Sequence, residues 1–360
     1  MIEIAQYGHL INVLKVFGPT TVAFFVGILI TPVLSHYLYK NKMWKKKSGK
    51  IALDGKEASV FNELHKERDT GTPRMGGVII WVSTLVTIFL FWVLAKIYPA
   101  EITEKINFLS RGQTWLPLFT LVTASGLGLV DDWLQVRTSN GLSFLRRLGT
   151  VVVIGLIGGW WFYDRLEMNA IDIPFFSGEL FLGFWFIPVF VVVMLALFSS
   201  SVIDGLDGLS GGVMAVIFSA YSGIAFFQNQ INLAAFCAVV VGSILAFLWF
   251  NIPPARFYMS ETGILGLTVT LTVVTFLTNT VLWLPIIALP LLATSASVIV
   301  QLLSKKMRGG KKVLLVAPLH HHFEALGWPS YKVVMRYWVI SLVFALIGMI
   351  LAIIGNIELL

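Results

Sequence analysis

Stretches of roughly twenty apolar residues recur along this chain, separated by short polar or charged segments. A run of that length matches the hydrocarbon thickness of a bilayer, and in lipid the backbone of such a run must satisfy its own hydrogen bonds, which an α-helix does. Ten such spans are expected, near 17–39, 75–98, 114–130, 148–163, 180–198, 209–228, 231–250, 263–280, 281–304 and 337–355. Composition agrees: of 360 residues, 57% are hydrophobic and only 12% charged. That is about half the usual supply of charge, too little to coat a soluble domain, and the hydrophobicity excludes disorder. The expected class is an all-α polytopic integral membrane protein, a single transmembrane domain over 1–360 with no removable signal peptide. The one cysteine, Cys237, lies inside an apolar run and rules out an intrachain disulfide framework.

The net charge of +7 points to cytoplasmic loops rather than to nucleic acid. With ten spans, the loops after the odd-numbered spans carry 21 of the 26 Lys and Arg, and the other side, with both tails, carries 5. The positive-inside rule then puts the basic loops in the cytoplasm and both termini outside. The two largest cytoplasmic loops are 40–74, with Lys45, Lys46 and Lys47, and 304–336. The first reads as a solvated tether or an anionic-lipid contact, with the tether favoured.

The residues able to do chemistry fall on that same side. Asp131 and Asp132 close the third span, where a helix C-terminus repels negative charge and a compensating cation is required. Asp204 and Asp207 lie in a glycine-rich segment; a helical start there would put both on one face, although a single Asp is also a common N-cap. Glu261 precedes the eighth span as a first-turn acid. His320, His321 and His322 are half of the chain's six histidines, suited to a metal or an anion. Carboxylate oxygens suit Mg²⁺, which bridges to substrate phosphates, and Mg²⁺ with cationic side chains is common equipment for phosphoryl transfer. No GxxxxGK[ST] loop is present, which argues against an ATP-driven pump. The spans carry no ionisable residue at mid-depth, which argues against a transporter.

Five motifs occur in a telling order: Gly71-Thr-Pro-Arg-Met-Gly-Gly77, Val130-Asp-Asp132, Asp204-Gly-Leu-Asp-Gly208, Leu248-Trp-Phe-Asn251 and Ala317-Pro-Leu-His-His-His-Phe-Glu324. In this order, from about residue 70 to the C-terminus, they resemble the polyprenyl-phosphate N-acetylhexosamine-1-phosphate transferases. The uninterrupted His triplet followed by Gly327-Trp-Pro329 resembles the peptidoglycan branch. The resemblance implies transfer of phospho-MurNAc-pentapeptide from UDP-MurNAc-pentapeptide to undecaprenyl phosphate, with UMP and lipid I as products, Mg²⁺ as cofactor, a homodimer, and the bacterial inner membrane as location. It implies Asp131 as the acid near the lipid phosphate with Asp132 beside it, and Glu261, Asp131 and Asp132 as metal ligands. It also implies Asp204 and Asp207 orienting the uridine diphosphate, Asn251 and Tyr258 near the uracil, and His320, His321 and His322 along the diphosphate and sugar.

Several positions depart from the family pattern. Gln135 stands where a lysine is usual, and Met259-Ser260-Glu261 stands for Met-Gly-Asp. Phe198 and Ser201 replace asparagines, and Arg74 replaces a threonine, returning a cation that Gln135 removes. The change at Ser260 suggests a loop rebuilt around the longer acid. These departures leave two alternatives: transfer of another sugar phosphate such as GlcNAc-1-phosphate, or a catalytically impaired paralogue acting as a membrane scaffold.

Overall fold

A computed structural model describes residues 2–46, 71–110, 112–139, 141–175 and 178–357, with side chains described from residue 8 to residue 355. Most of the 40–74 loop, Lys47 included, lies outside the described residues, as does the choice between tether and lipid contact.

The helices are α1 (Ile2–Lys40), α2 (Val78–Ile97), α3 (Glu101–Ile106), α4 (Trp115–Thr138), α5 (Phe144–Trp160), α6 (Phe186–Ser199), α7 (Leu209–Phe227), α8 (Ile231–Asn251), α9 (Ser260–Leu277), α10 (Leu284–Ile287), α11 (Leu289–Met307), α12 (Leu319–Ala325) and α13 (Ser330–Ile357). Every expected span overlaps a helix, although that at 180–198 begins in a strand and becomes α-helical only at Phe186, and that at 281–304 begins in a turn. Among the described residues, eight helices are long and apolar enough to cross a membrane; α4, with its two aspartates, and α11, ending in Lys305 and Lys306, are outside that group. The chain is an α-helical polytopic membrane protein. Among the described residues one hairpin interrupts the helices: β1 (Ala170–Asp172) pairs antiparallel with β2 (Glu179–Phe181). In it Asp172 stands directly opposite Glu179, and burial together with the Glu179 charge pushes the Asp172 carboxyl above its ordinary range.

The bundle is organised around α9. Every residue of that helix except Glu261 is buried, the all-round burial of a helix enclosed by others rather than by lipid. Several of its threonines turn back on the helix, as when Thr268 Oγ1 donates to the Ile264 carbonyl at 2.9 Å and Thr275 Oγ1 to the Leu271 carbonyl at 2.8 Å, so these hydroxyls stay satisfied without water. Without a hydrophobic drive between helices in lipid, close approach comes from small residues. A Cβ on Gly266 would overlap Ser125 Oγ of α4, and one on Gly242 of α8 would overlap the Thr20 carbonyl of α1. At the end of α9 away from the aspartates, Phe276 meets Phe190 at 4.7 Å and Phe186 at 5.3 Å between ring centroids, with Phe162 alongside. This aromatic cluster ties α6 and α9 to the π-helical turn Trp161–Arg165 that follows α5.

Candidate active site

Three expectations about local structure change here. Asp131 and Asp132 do not close a helix: α4 runs on to Thr138, because beyond the apolar run the helix continues into the aqueous side. Asp204 and Asp207 do not start one: a 3₁₀ turn at Ser200–Ile203 precedes them, and α7 begins at Leu209 with Gly208, at φ 80°, as its N-cap. The aspartates therefore sit in a connecting turn. The His triplet is on a helix, α12, rather than in a loop.

The N-terminus of α9 is where the motifs meet. A helix start leaves its first N–H groups without intrahelical partners, and two aspartates from different segments take them. The Ser260 N–H donates to Asp204 Oδ2 at 2.9 Å, and the Thr262 N–H to Asp132 Oδ2 at 2.9 Å. Asp204 thus caps α9, not the helix that follows it in sequence. Between the two donors stands Glu261. Its backbone is fixed from both sides, since a Cβ on Gly128 of α4 would overlap the Glu261 carbonyl and one on Gly77 would overlap the Gly263 backbone.

Around Asp131, Asp132 and Glu261 the charges are matched by two arginines. Both carboxylates of α4 are fully buried. Arg74 donates from Nε at 3.1 Å and Nη2 at 2.9 Å to Asp132 Oδ1, while Thr262 Oγ1 adds a bond to Asp132 Oδ2 at 2.6 Å. Asp132 therefore has four donors. Burial works against the Arg74 charge, but the field and hydrogen bonds of Asp132, with Glu261 and Asp204 behind, outweigh it and raise the guanidinium above its ordinary range. Arg147, on α5, places Nη1 at 2.6 Å from Glu261 Oε1 and 3.6 Å from Asp131 Oδ2. Asp131 also accepts from Gln135 Nε2 at 3.0 Å and from the Leu142 N–H. The cation expected beside the Asp pair is thus supplied twice, by Arg74 and Arg147, and Gln135 still donates where a lysine is usual.

The second group is wired mainly through backbone. Asp204 Oδ1 accepts from Ser210 Oγ at 2.7 Å, and Asp207 Oδ2 from the Ala255 N–H at 3.2 Å. Asn251, at the end of α8, uses both ends of its amide: Oδ1 accepts from the Gly208 N–H and Nδ2 donates to the Phe257 carbonyl, each at 2.9 Å. Tyr258 bonds through its backbone to Pro73 and Gly76, joining this loop to the Arg74 segment. His320 and His321 are buried and reach the same turn: a Cβ on Gly205 would overlap His320 Nε2 and lie 2.9 Å from His321 Nε2. Glycine is required at 205 to let the imidazoles this close. His321 Nδ1 is 2.7 Å from Glu324 Oε2, whose other oxygen accepts from Ser330 Oγ at 2.7 Å. His322 faces the other way, with Nδ1 accepting from the Leu315 N–H.

Ser260 does not show a rebuilt loop. It has φ 57°, a left-handed conformation that suits glycine, and its buried Oγ finds no hydrogen-bond partner among the described residues. Arg147, Thr262, Ser210 and Glu324 were missed as site residues. Arg147 reads as a topogenic charge next to Arg146, and only Glu324, inside the His motif, carries a sequence signal.

Among the described residues no three His, Cys, Asp or Glu side chains form a ready-made metal cage. Mg²⁺ does not need one, since it takes one or two carboxylates plus waters and substrate phosphates. Glu261 fits that role: Oε2 is buried and accepts no hydrogen bond from the described residues, and Asp131 shares its arginine.

Comparison with known proteins places the chain in a family. A model of glycosyl transferase family 4 matches residues 114–279, from the start of α4 through α9. A phospho-N-acetylmuramoyl-pentapeptide-transferase of Listeria innocua is 33% identical over 337 residues, 91% of this chain and 95% of the relative. That of Levilactobacillus brevis is 38% identical over 288 residues, 78% of this chain and 84% of the relative. That of Geobacillus thermodenitrificans is 33% identical over 331 residues, 91% and 94% of the two chains. Similarity of this extent takes in the α9 hub, the Arg74 segment and the His helix alike, and the chain belongs to the phospho-N-acetylmuramoyl-pentapeptide-transferase family.

Proposed function

We propose that this protein transfers phospho-MurNAc-pentapeptide from UDP-MurNAc-pentapeptide to undecaprenyl phosphate, giving lipid I and UMP in peptidoglycan synthesis. In the reaction an oxygen of the lipid phosphate bonds to the sugar-linked phosphorus while the bridging oxygen leaves with UMP. One diphosphate bridge forms as another breaks, so the enzyme's task is positioning and charge neutralisation. The observation that carries the reading is the convergence on the α9 N-terminus of two acidic motifs, with Arg74 and Arg147 among them.

Asp131 is the group assigned to the lipid phosphate, receiving its proton; Arg147, between Asp131 and Glu261, keeps both carboxylates oriented. Asp132 is an anchor for Arg74 and Thr262, and serves the metal site through the position it gives Glu261. Glu261 and Asp131 would hold Mg²⁺, which when bound polarises phosphoryl oxygens and offsets their charge. Asp204, Asp207 and Asn251 shape the turn for the uridine diphosphate, with Tyr258 beside it, and His320 and His321 line the diphosphate and sugar side. Ten spans, both termini outside, the site on the cytoplasmic face of the bacterial plasma membrane and a homodimer belong to the same proposal; the 21 to 5 division of Lys and Arg supports the orientation.

The test supplies purified protein and undecaprenyl phosphate with either UDP-MurNAc-pentapeptide or UDP-GlcNAc, with and without Mg²⁺. UMP release with the first donor alone, dependent on Mg²⁺, is expected. Release only with UDP-GlcNAc would assign another sugar-phosphate transferase, and none with either would point to a scaffold.

A further inference from the structure

At the end of the bundle opposite the aspartates is a cavity of about 290 Å³ lined by Gly8, Ile11, Asn12, Lys15 and Lys105. Its depth follows from helix geometry. Lys40 ends α1 beside Tyr39 and Trp44, whose rings lie 6.3 Å apart, the aromatic and basic marks of a membrane interface. From there Lys15 is about 37 Å back along the helix, against about 30 Å of hydrocarbon, so it stands about 7 Å past the far boundary, at headgroup level. α3 gives the same level independently, because it lies between the end of α2 and the start of α4, flanked by Tyr98 and Trp115.

Two lysines from separate helices therefore share one cavity at the depth of lipid phosphates. Lys15 is half-buried and has no ion-pair partner among the described residues, while Lys105 pairs with Glu101 at 2.5 Å. Asn12 brings amide donors to the same wall, and the neighbouring Leu10, Val13, Leu14 and Phe17 are exposed and apolar, a surface for acyl chains. Glu101 and Glu104 of α3 are the nearby acids on that helix. Gly8 leaves the cavity open, since a Cβ there would meet nothing within 4 Å.

We propose that the Lys15–Lys105 cavity binds the phosphate of an anionic phospholipid in the leaflet opposite the catalytic face. The site is separate from the transfer reaction and holds whether or not that assignment stands. The test uses the full-length protein in nanodiscs of phosphatidylcholine with phosphatidylglycerol, transferred to detergent, with retained lipid counted by native mass spectrometry. Phosphatidylglycerol should be retained over phosphatidylcholine. Each lysine near an anionic surface is worth about a five-fold change in affinity, so the double variant Lys15→Gln, Lys105→Gln should lose retention by ten-fold or more. Gly8→Leu, which fills the space, should do the same, and Lys96→Gln, outside the cavity, should not; UMP release should be unchanged in all of them. Equal retention of both lipids, undiminished retention in the double variant, or a matching loss with Lys96→Gln would overturn the proposal. Complete displacement of the lipid by millimolar inorganic phosphate would overturn it too, assigning a free-anion site instead.

Discussion

Two pairs of aspartates face the same side of this bundle, and they are held in opposite ways. Asp131 and Asp132 are fully buried and balanced by guanidinium groups brought from α5 and from the segment before α2. Asp204 and Asp207 are half-buried, and the N–H groups of Ser260 and Ala255 and the Ser210 hydroxyl are among the groups that hold them. A buried carboxylate near lipid needs a full opposite charge, because its desolvation is too large for neutral donors alone, while a turn at the aqueous edge can be closed by dipoles. In the proposed reaction the first pair carries charge chemistry, and the second sets the shape of a loop. Removing a member should be felt as lost turnover or lost fold in the first pair, and as weaker donor binding in the second.

The largest expected effect is on turnover. Asp131→Asn keeps shape and removes charge, and UMP release should fall by about 10²–10⁴-fold with the protein still folded; near-normal release would make the first pair as structural as the second. Next is stability. Asp132→Asn leaves Arg74 buried beside a neutral amide, at a cost of about 3–5 kcal/mol, whereas Asp204→Asn should cost about 1–3 kcal/mol. Denaturation of the two variants in one detergent measures both, and equal losses would erase the distinction between them.

Mg²⁺ titrations of UMP release sharpen the comparison at Glu261. Glu261→Asp draws the carboxylate back from Arg147, and the Mg²⁺ requirement should rise by about 10–100-fold, the range for lost ligand support; Glu261→Gln should abolish the response. Curves that overlay wild type would take Glu261 out of the metal site. Arg74→Thr should cost activity, and Gln135→Lys should return part of it, because position 135 lies one turn from both aspartates. No recovery would mean that Arg74 acts through its two-point bond to Asp132 Oδ1, which a lysine at 135 does not rebuild, rather than by charge alone. The smallest effect is at Ser260: Ser260→Gly should stabilise the protein by about 1 kcal/mol by relieving a left-handed serine, visible as a raised melting temperature.

The helices were legible because a twenty-residue apolar run has only one local solution in lipid, and each expected span overlaps a helix. The hairpin at Ala170–Asp172 and Glu179–Phe181 was not, since three-residue strands leave no alternation to read. The motifs pointed to the aspartates, Glu261 and the His triplet, but not to their geometry. An apolar scan stops where charge begins, so the helix appeared to end at Asp131. The capping of α9 by Asp204 joins positions 56 residues apart, which local spacing cannot report. Arg147 was hidden for a different reason: a basic residue at a span boundary is already explained by membrane orientation, and nothing local marks one that turns inward.

The glycine contacts at Gly77 and Gly128 have a consequence for how this protein can change. They are contacts of main chain with main chain, so they register where residue 261 stands without regard to what residue 261 is. Side chains at 259–261 can drift, as Ser260 and Glu261 have done relative to the family pattern, while the anchoring point of the acid stays put. Substitution at the two glycines is different in kind. Gly128→Ala or Gly77→Ala would move the whole start of α9 and carry with it the donors that Asp132 and Asp204 depend on. Heritable variation is thus channelled toward the chemical identity of the acid and away from its location.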